Sequence, residues 1–246
     1  MDYVILTLAA VATALATGLG AIPVFVFGTL PDMARGALWG LTVGLMTVAS
    51  VVGLLAPALD DGPPVVVSAG LVTGALFLLG ARMALRKKDV HVGQLRGSGV
   101  RTSVLVFSVL FVHSLPEGLA IGTAYASDRA GLSLFVIFAI ALQNIPEGTS
   151  VAIPMAAAGF RPRSQFWAAV GTSAPQPLGA VVAYVLVAHV EPLLPFSFAF
   201  AAGAMLALVV FELAREAFAP KTWPAGIGGS LLGGALMLGL AALLGV

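Results

Sequence analysis

His113-Ser114-Leu115-Pro116-Glu117-Gly118 and, thirty positions on, Gln143-Asn144-Ile145-Pro146-Glu147-Gly148 are two versions of one motif, each set in the middle of an apolar run. An ionised carboxylate at the centre of a membrane helix costs about 2.5–3.5 kcal/mol even on lenient insertion scales, so Glu117 and Glu147 need a compensating partner. Within each motif the first and fifth residues are one helical turn apart, which puts His113 with Glu117, and Gln143 with Glu147, on a common face. Each helix therefore offers a two-ligand clip. Pro116 and Pro146 free the carbonyls of Val112 and Leu142 and are expected to kink both helices, leaving acceptors that must be satisfied inside the protein.

The runs around the motifs belong to a chain of 246 residues that is 59% hydrophobic and 9% charged, with a mean hydropathy of +1.05. That composition marks an integral membrane protein. Apolar stretches near the ~20 residues needed to cross a bilayer recur along it. They predict eight spans, at about 3–27, 36–57, 64–85, 103–125, 132–154, 166–188, 197–218 and 224–246. The first is too long for a signal-peptide core and follows Asp2 rather than Lys or Arg. There is no cysteine, so any metal site must use His, carboxylate and amide groups.

Orientation follows from the basic residues. If the first loop is cytoplasmic, that side holds Arg35, Arg82, Arg86, Lys87, Lys88, Arg96, Arg101, Arg161, Arg163, Arg215 and Lys221, and the other side only Arg129. Both termini are then extracytoplasmic, and the compact chain without targeting signals suggests a plasma (inner) membrane. Residues 86–102 read as a flexible cytoplasmic linker in which His91 is an ordinary loop residue. With a net charge of +1, the partners expected are the lipid bilayer and a small cation, not nucleic acid.

Leu19-Gly20-Ala21 in the first span recurs as Leu178-Gly179-Ala180 in the sixth, and Gly44 and Met46 recur as Gly203 and Met205, all at an offset of 159. The offset joins spans of opposite direction. The fold expected is therefore all-α, a 3+2+3 arrangement in which inverted repeats, spans 1–3 and 6–8, bracket a central helix pair that carries the metal site. Four-residue glycine spacing on spans two (Gly36, Gly40, Gly44), three (Gly70, Gly74) and eight (Gly229, Gly233) allows close helix approach. Packing within one chain explains it better than a seam between copies, and a homodimer stays open.

Imidazole, carboxylate and amide oxygen suit a borderline divalent ion, Zn²⁺ first, with Cd²⁺, Mn²⁺, Fe²⁺ and Co²⁺ compatible. A hydrogen-bonded network that binds nothing would need neither acid. An intramembrane metalloenzyme would be announced by His-Glu-x-x-His, which is absent. No resident cofactor is expected, the metal being cargo. His-x-x-Pro-Glu-Gly on a fourth span and x-Asn-x-Pro-Glu-Gly on a fifth, in an eight-span chain, resemble the ZIP family of divalent metal transporters. Thr17-Gly18-Leu19-Gly20-Ala21-Ile22-Pro23 resembles that family's first span, and Ala202-Gly203-Ala204-Met205 its seventh.

The resemblance implies transport toward the cytoplasm by alternating access, with spans 1, 4, 5 and 6 carrying the metal against 2, 3, 7 and 8. It implies His113, Glu117, Gln143 and Glu147 as ligands, Asn144 beside them, and Gln176 joining from span six. Three positions depart from the family pattern: Ser114 stands for the usual Asn, Gln143 for a frequent His, and Gln176 for a frequent Glu. The lost charge at Gln176 predicts one firmly held ion rather than two, and makes a membrane-embedded sensor or a non-transporting relative the rival reading. Met46 resembles a position near the outer entrance. Glu212, Arg215 and Glu216 read as an intrahelical charge cluster, with Glu212 and Glu216 as candidates to line an exit.

Overall fold

The computed structural model describes residues 2–28, 30–86, 98–190 and 192–246. Of the linker expected over 86–102, residues 87–97, with His91, lie outside the described residues, whereas 98–102 are the first turn and a half of the fourth span's helix and Arg86 closes the third. Among the described residues, eight helices are long and apolar enough to cross a membrane: Tyr3–Phe27, Asp32–Asp61, Pro64–Leu85, Thr102–Ala126, Ala130–Ala157, Pro162–His189, Leu193–Ala217 and Trp223–Leu244. These are spans one to eight. A backbone in hydrocarbon must satisfy its own hydrogen bonds, which leaves apolar runs of this length no alternative to helix. Prolines stand in the first turn of spans six and eight, where their missing N–H is not needed.

The prolines of the paired motifs do not break their helices: 98–126 and 130–157 are continuous through Pro116 and Pro146. The breaks lie in the neighbouring spans instead. Span one stops at Leu19 and restarts at Ile22, and span six stops at Thr172 and restarts at Pro175. A lone proline removes one backbone bond, and with no water to compete the helix closes over the gap. Gly20-Ala21 before Pro23, and Ser173-Ala174 before Pro175, combine flexibility or a side-chain acceptor with a following proline, and there the chain turns. The freed Gly20 carbonyl is met by the Thr149 hydroxyl at 2.7 Å.

The inverted repeat is written into the packing residue for residue. Gly118 lies so close to the Gln176 carbonyl that a Cβ would overlap its oxygen, and Gly148 stands in the same relation to Thr17. Gly44 meets the Ser230 carbonyl as Gly203 meets Leu71, and Gly70 meets Phe196 as Gly229 meets Ala37. Every one of these partners is displaced by 159 from its mate, while Gly118 and Gly148 are matched by the motif itself. Spans two with eight and seven with three are thus equivalent pairs, as are four with six and five with one. The glycine stripes serve packing within the chain. Two π-helical turns, Val51–Leu55 in span two and Val209–Leu213 in span seven, fall one residue from the same offset.

Backbone contact of this kind leaves no room for a side chain. Gly44→Val and Gly203→Val are each expected to cost about 1–3 kcal/mol through overpacking, read as a lower melting temperature of the purified protein in detergent. Gly239→Val, at a lipid-facing position with open space around it, should leave the melting temperature unchanged.

Candidate metal centre

Spans four and five run antiparallel, and the two clips face each other between them. His113, Glu117, Gln143, Asn144, Glu147 and Gln176 are all buried. The sequence-predicted set therefore does converge, but into two unlike groups.

In the first group, one ligand atom from each of His113, Glu117 and Glu147 lies within 4.8 Å of the others. His113 Nε2 is 3.6 Å from Glu117 Oε1. Both imidazole nitrogens, Gln143 Oε1 and Glu147 Oε1 are buried without a hydrogen-bond partner among the described residues. Buried polar groups are nearly always paired, so four orphans in one place are an observation about chemistry rather than packing. Ligands of a single zinc ion sit about 2.0–2.2 Å from it and hence up to about 4 Å from each other. The donor set fits such an ion after small side-chain movements.

The second group is hydrogen-bonded throughout. Gln176 Nε2 donates to Glu117 Oε2 at 2.6 Å, and Gln143 Nε2 donates to Glu117 Oε1 at 2.7 Å. Asn144 and Gln176 face one another as a reciprocal amide pair, at 3.3 and 3.4 Å. Asn144 Nδ2 also donates to the Thr13 carbonyl at 2.8 Å. The Thr13 hydroxyl hydrogen is shared between the Ala10 carbonyl at 2.8 Å and Gln176 Oε1 at 3.1 Å. The Ser114 hydroxyl bonds back to the Leu110 carbonyl at 2.9 Å and also lies against the Glu117 carboxylate.

Thr13, Thr17 and Ser173 were not singled out by sequence. The Thr17 and Ser173 hydroxyls meet at 2.6 Å and tie the first span to the break in the sixth. A signal for them exists: at the repeat offset Thr17 is the mate of Gln176, and Thr13 of Thr172. Met46 is wholly buried in the hydrophobic core.

A cavity of about 420 Å³ opens at the end of the bundle that bears Arg35 and Arg82. It is lined by spans two, three, four, five and seven and includes Leu110, one turn before Ser114, and Ser150, three residues past Glu147. Glu212 and Glu216 line it. Glu212 pairs with Arg82 of span three across the cavity rather than within its own helix, so the expected intrahelical cluster is replaced by a bridge between spans. The π-helical turn at Val209–Leu213 carries Glu212.

The family profile described as ZIP Zinc transporter matches residues 82–241. A putative zinc transporter of Arabidopsis thaliana is 35% identical over 84% of this chain, which spans only 33% of that protein's length. The zinc transporter GufA of Myxococcus xanthus is 32% identical, covering 82% of this chain and 84% of the relative. The zinc transporter ZIPB of Bordetella bronchiseptica is 31% identical, covering 94% and 78%. With eight apolar helices, a matching profile over more than half its length, and relatives aligned over most of both chains, the protein belongs to the ZIP family of zinc transporters.

Proposed function

We propose that the chain carries a divalent transition metal, Zn²⁺ first, across an inner membrane toward the cytoplasm. His113, Glu117, Gln143 and Glu147 would hold the ion as substrate midway through the bilayer. The observation that carries this reading is the buried set of unpartnered donor atoms on His113, Gln143 and Glu147 beside Glu117. Two carboxylates balance the divalent charge, and a neutral imidazole and an amide oxygen complete a borderline donor set. The chain would act without catalysis and without a resident cofactor. The same chemistry admits Cd²⁺, Mn²⁺ and Fe²⁺.

Direction and alternating access are supported by how unequal the two ends are. The cavity opens at the basic end, which the positive-inside pattern makes cytoplasmic. Transferred by the repeat and motif offsets, its lining residues fall on the opposite side of the site, and all of them except Leu194 are buried. Val109 and Leu110 correspond to Ala139 and Ile140, Ser150 to Ala120, and Trp39 to Phe198, which are 1%, 1%, 0% and 0% exposed. One repeat arrangement is open where its mate is packed shut. An inverted repeat provides the second arrangement by exchanging the two.

Proteoliposomes containing the purified protein and a trapped metal-sensitive dye should show saturable Zn²⁺ entry. Glu147→Ala should abolish it, and His113→Ala should raise the half-saturating concentration. Wild-type uptake by both variants would sink the site, and binding without flux would favour a non-transporting relative. Protons compete with metal for the imidazole and the carboxylates, so half-saturation should rise as the pH falls.

Because the chain has no cysteine, single replacements report access cleanly. Ser150→Cys should react with a membrane-impermeant thiol reagent applied from the basic side, and Ala120→Cys should resist it from either side in the arrangement described. Equal labelling of the two would contradict the asymmetry.

A further inference from the structure

The metal reading gives no separate task to Thr13, Asn144 and Gln176, yet these side chains are hydrogen-bonded to one another and to the Thr13, Ala10 and Glu117 acceptors around them. A glutamine has two N–H donors and one oxygen with two lone pairs. In Gln176 the donors go to Glu117 Oε2 and Asn144 Oδ1, and the oxygen accepts from Asn144 Nδ2 and shares the Thr13 hydroxyl. The amide cannot be turned the other way. Its oxygen would then face the Glu117 carboxylate, and its NH₂ would face the Asn144 NH₂. Asn144 likewise commits both hydrogens, to the Thr13 carbonyl and to Gln176. Gln176 has no lone pair left over, and Asn144 Oδ1 is turned to the Gln176 amide.

We infer that Gln176, Asn144 and Thr13 form a neutral bracket that fixes the Glu117 carboxylate from behind, so that the site takes one metal ion, and that Gln176 and Asn144 are positioning residues rather than ligands. This rests on the metal reading of the same site and deepens it. The physical reason lies in charge. A second divalent ion beside Glu117 Oε2 would need anionic ligands there, and the side chains available are two amides and the Ser114 hydroxyl. The bracket instead presents the Gln176 N–H to the carboxylate, which satisfies that oxygen and repels a cation from that side. Fixing Glu117 Oε2 leaves Oε1, which takes one N–H from Gln143 and lies next to His113, with its remaining lone pair for the ion. A hydrogen-bonded carboxylate so held is the usual means by which outer partners orient a metal ligand, and loss of such partners typically costs 10–100-fold in affinity.

The test counts ions. Equilibrium dialysis of the purified full-length protein against Zn²⁺, with the count for the Glu117→Ala/Glu147→Ala double variant subtracted, should give one ion for the wild type. Gln176→Ala should keep that count at one and weaken binding 10–100-fold. With Co²⁺ as probe, its ligand-field spectrum should retain the wild-type shape, since the ligands are the same. Thr13→Val, which removes only a shared hydroxyl, should weaken binding less than Gln176→Ala. Gln176→Glu replaces the bracket's donor with a carboxylate and should raise the count to two.

Two subtracted ions in the wild type, or a count still at one in Gln176→Glu, overturns the inference, as does Gln176→Ala with unchanged affinity or with an altered Co²⁺ spectrum. No subtracted ion in the wild type would instead overturn the metal reading itself. Melting temperatures measured beside each titration separate these outcomes from unfolding, and Thr13→Val keeps the inference open to refutation if Gln176→Ala does not fold.

Discussion

Two carboxylates and an imidazole sit fully enclosed at the centre of a structure whose surroundings are hydrocarbon, and no arrangement of apolar helices can stabilise them alone. In a medium of low dielectric constant, charge must be met at contact distance or not carried at all. The bundle meets it unevenly. Glu117 receives N–H groups from two amides on two other helices, whereas Glu147 Oε1 and both nitrogens of His113 have no hydrogen-bond partner among the described residues. The glycines at 118 and 148 bring spans six and one into backbone contact with the motif helices, and without that approach Gln176 and Thr13 would stand too far off to reach.

The pseudo-twofold relation is obeyed by the backbone and by the two motif acids, Glu117 and Glu147, but broken by the other polar side chains around them. Gln176 has Thr17 as its mate, Asn144 has Ser114, and Gln143 has His113. A symmetric frame thus holds an unsymmetric set of polar groups, with the unpartnered atoms of His113, Gln143 and Glu147 apart from the hydrogen-bonded amides of Asn144 and Gln176.

Much of this was legible in the sequence because hydrocarbon permits so few alternatives. Length and apolarity alone located eight helices, and charges placed where they are costly marked residues that the fold buries side by side. The 159-residue offset, visible as three-residue matches, proved to govern helix contacts from Gly44 to Gly229. What stayed hidden depended on side-chain partners. Nothing local distinguishes Thr13 from any other threonine in an alanine-rich helix, and its role follows only from a residue 163 positions away. The two π-helical turns share no sequence signal: the first holds Gly53 with Pro57 just beyond it, and the second has neither residue. Pro116 and Pro146 stand inside unbroken helices, whereas the breaks fall in spans one and six beside Pro23 and Pro175, because a proline marks only a missing hydrogen bond and its neighbours decide whether the helix stops there. Glu212 was expected to answer to Arg215 by helical spacing and answers to Arg82, because the cavity gives the longer side chain a path across.

The residue-for-residue repeat bears on energy as well as shape. A chain built from two inverted copies of one frame has, as far as main-chain geometry goes, two equivalent ways to arrange them, and equivalence implies equal free energy. Any preference must come from residues that break the equivalence. Most of them lie away from the buried His113, Glu117 and Glu147: the Arg82–Glu212 pair and Trp39 at one mouth, against alanine, glycine and phenylalanine packed at the other. Under alternating access, population of the two states would be tuned by ordinary substitutions at these mouths, a kcal/mol or so at a time, while the site that selects the cargo stays untouched. Selectivity and resting bias could then drift independently among relatives that share the same frame.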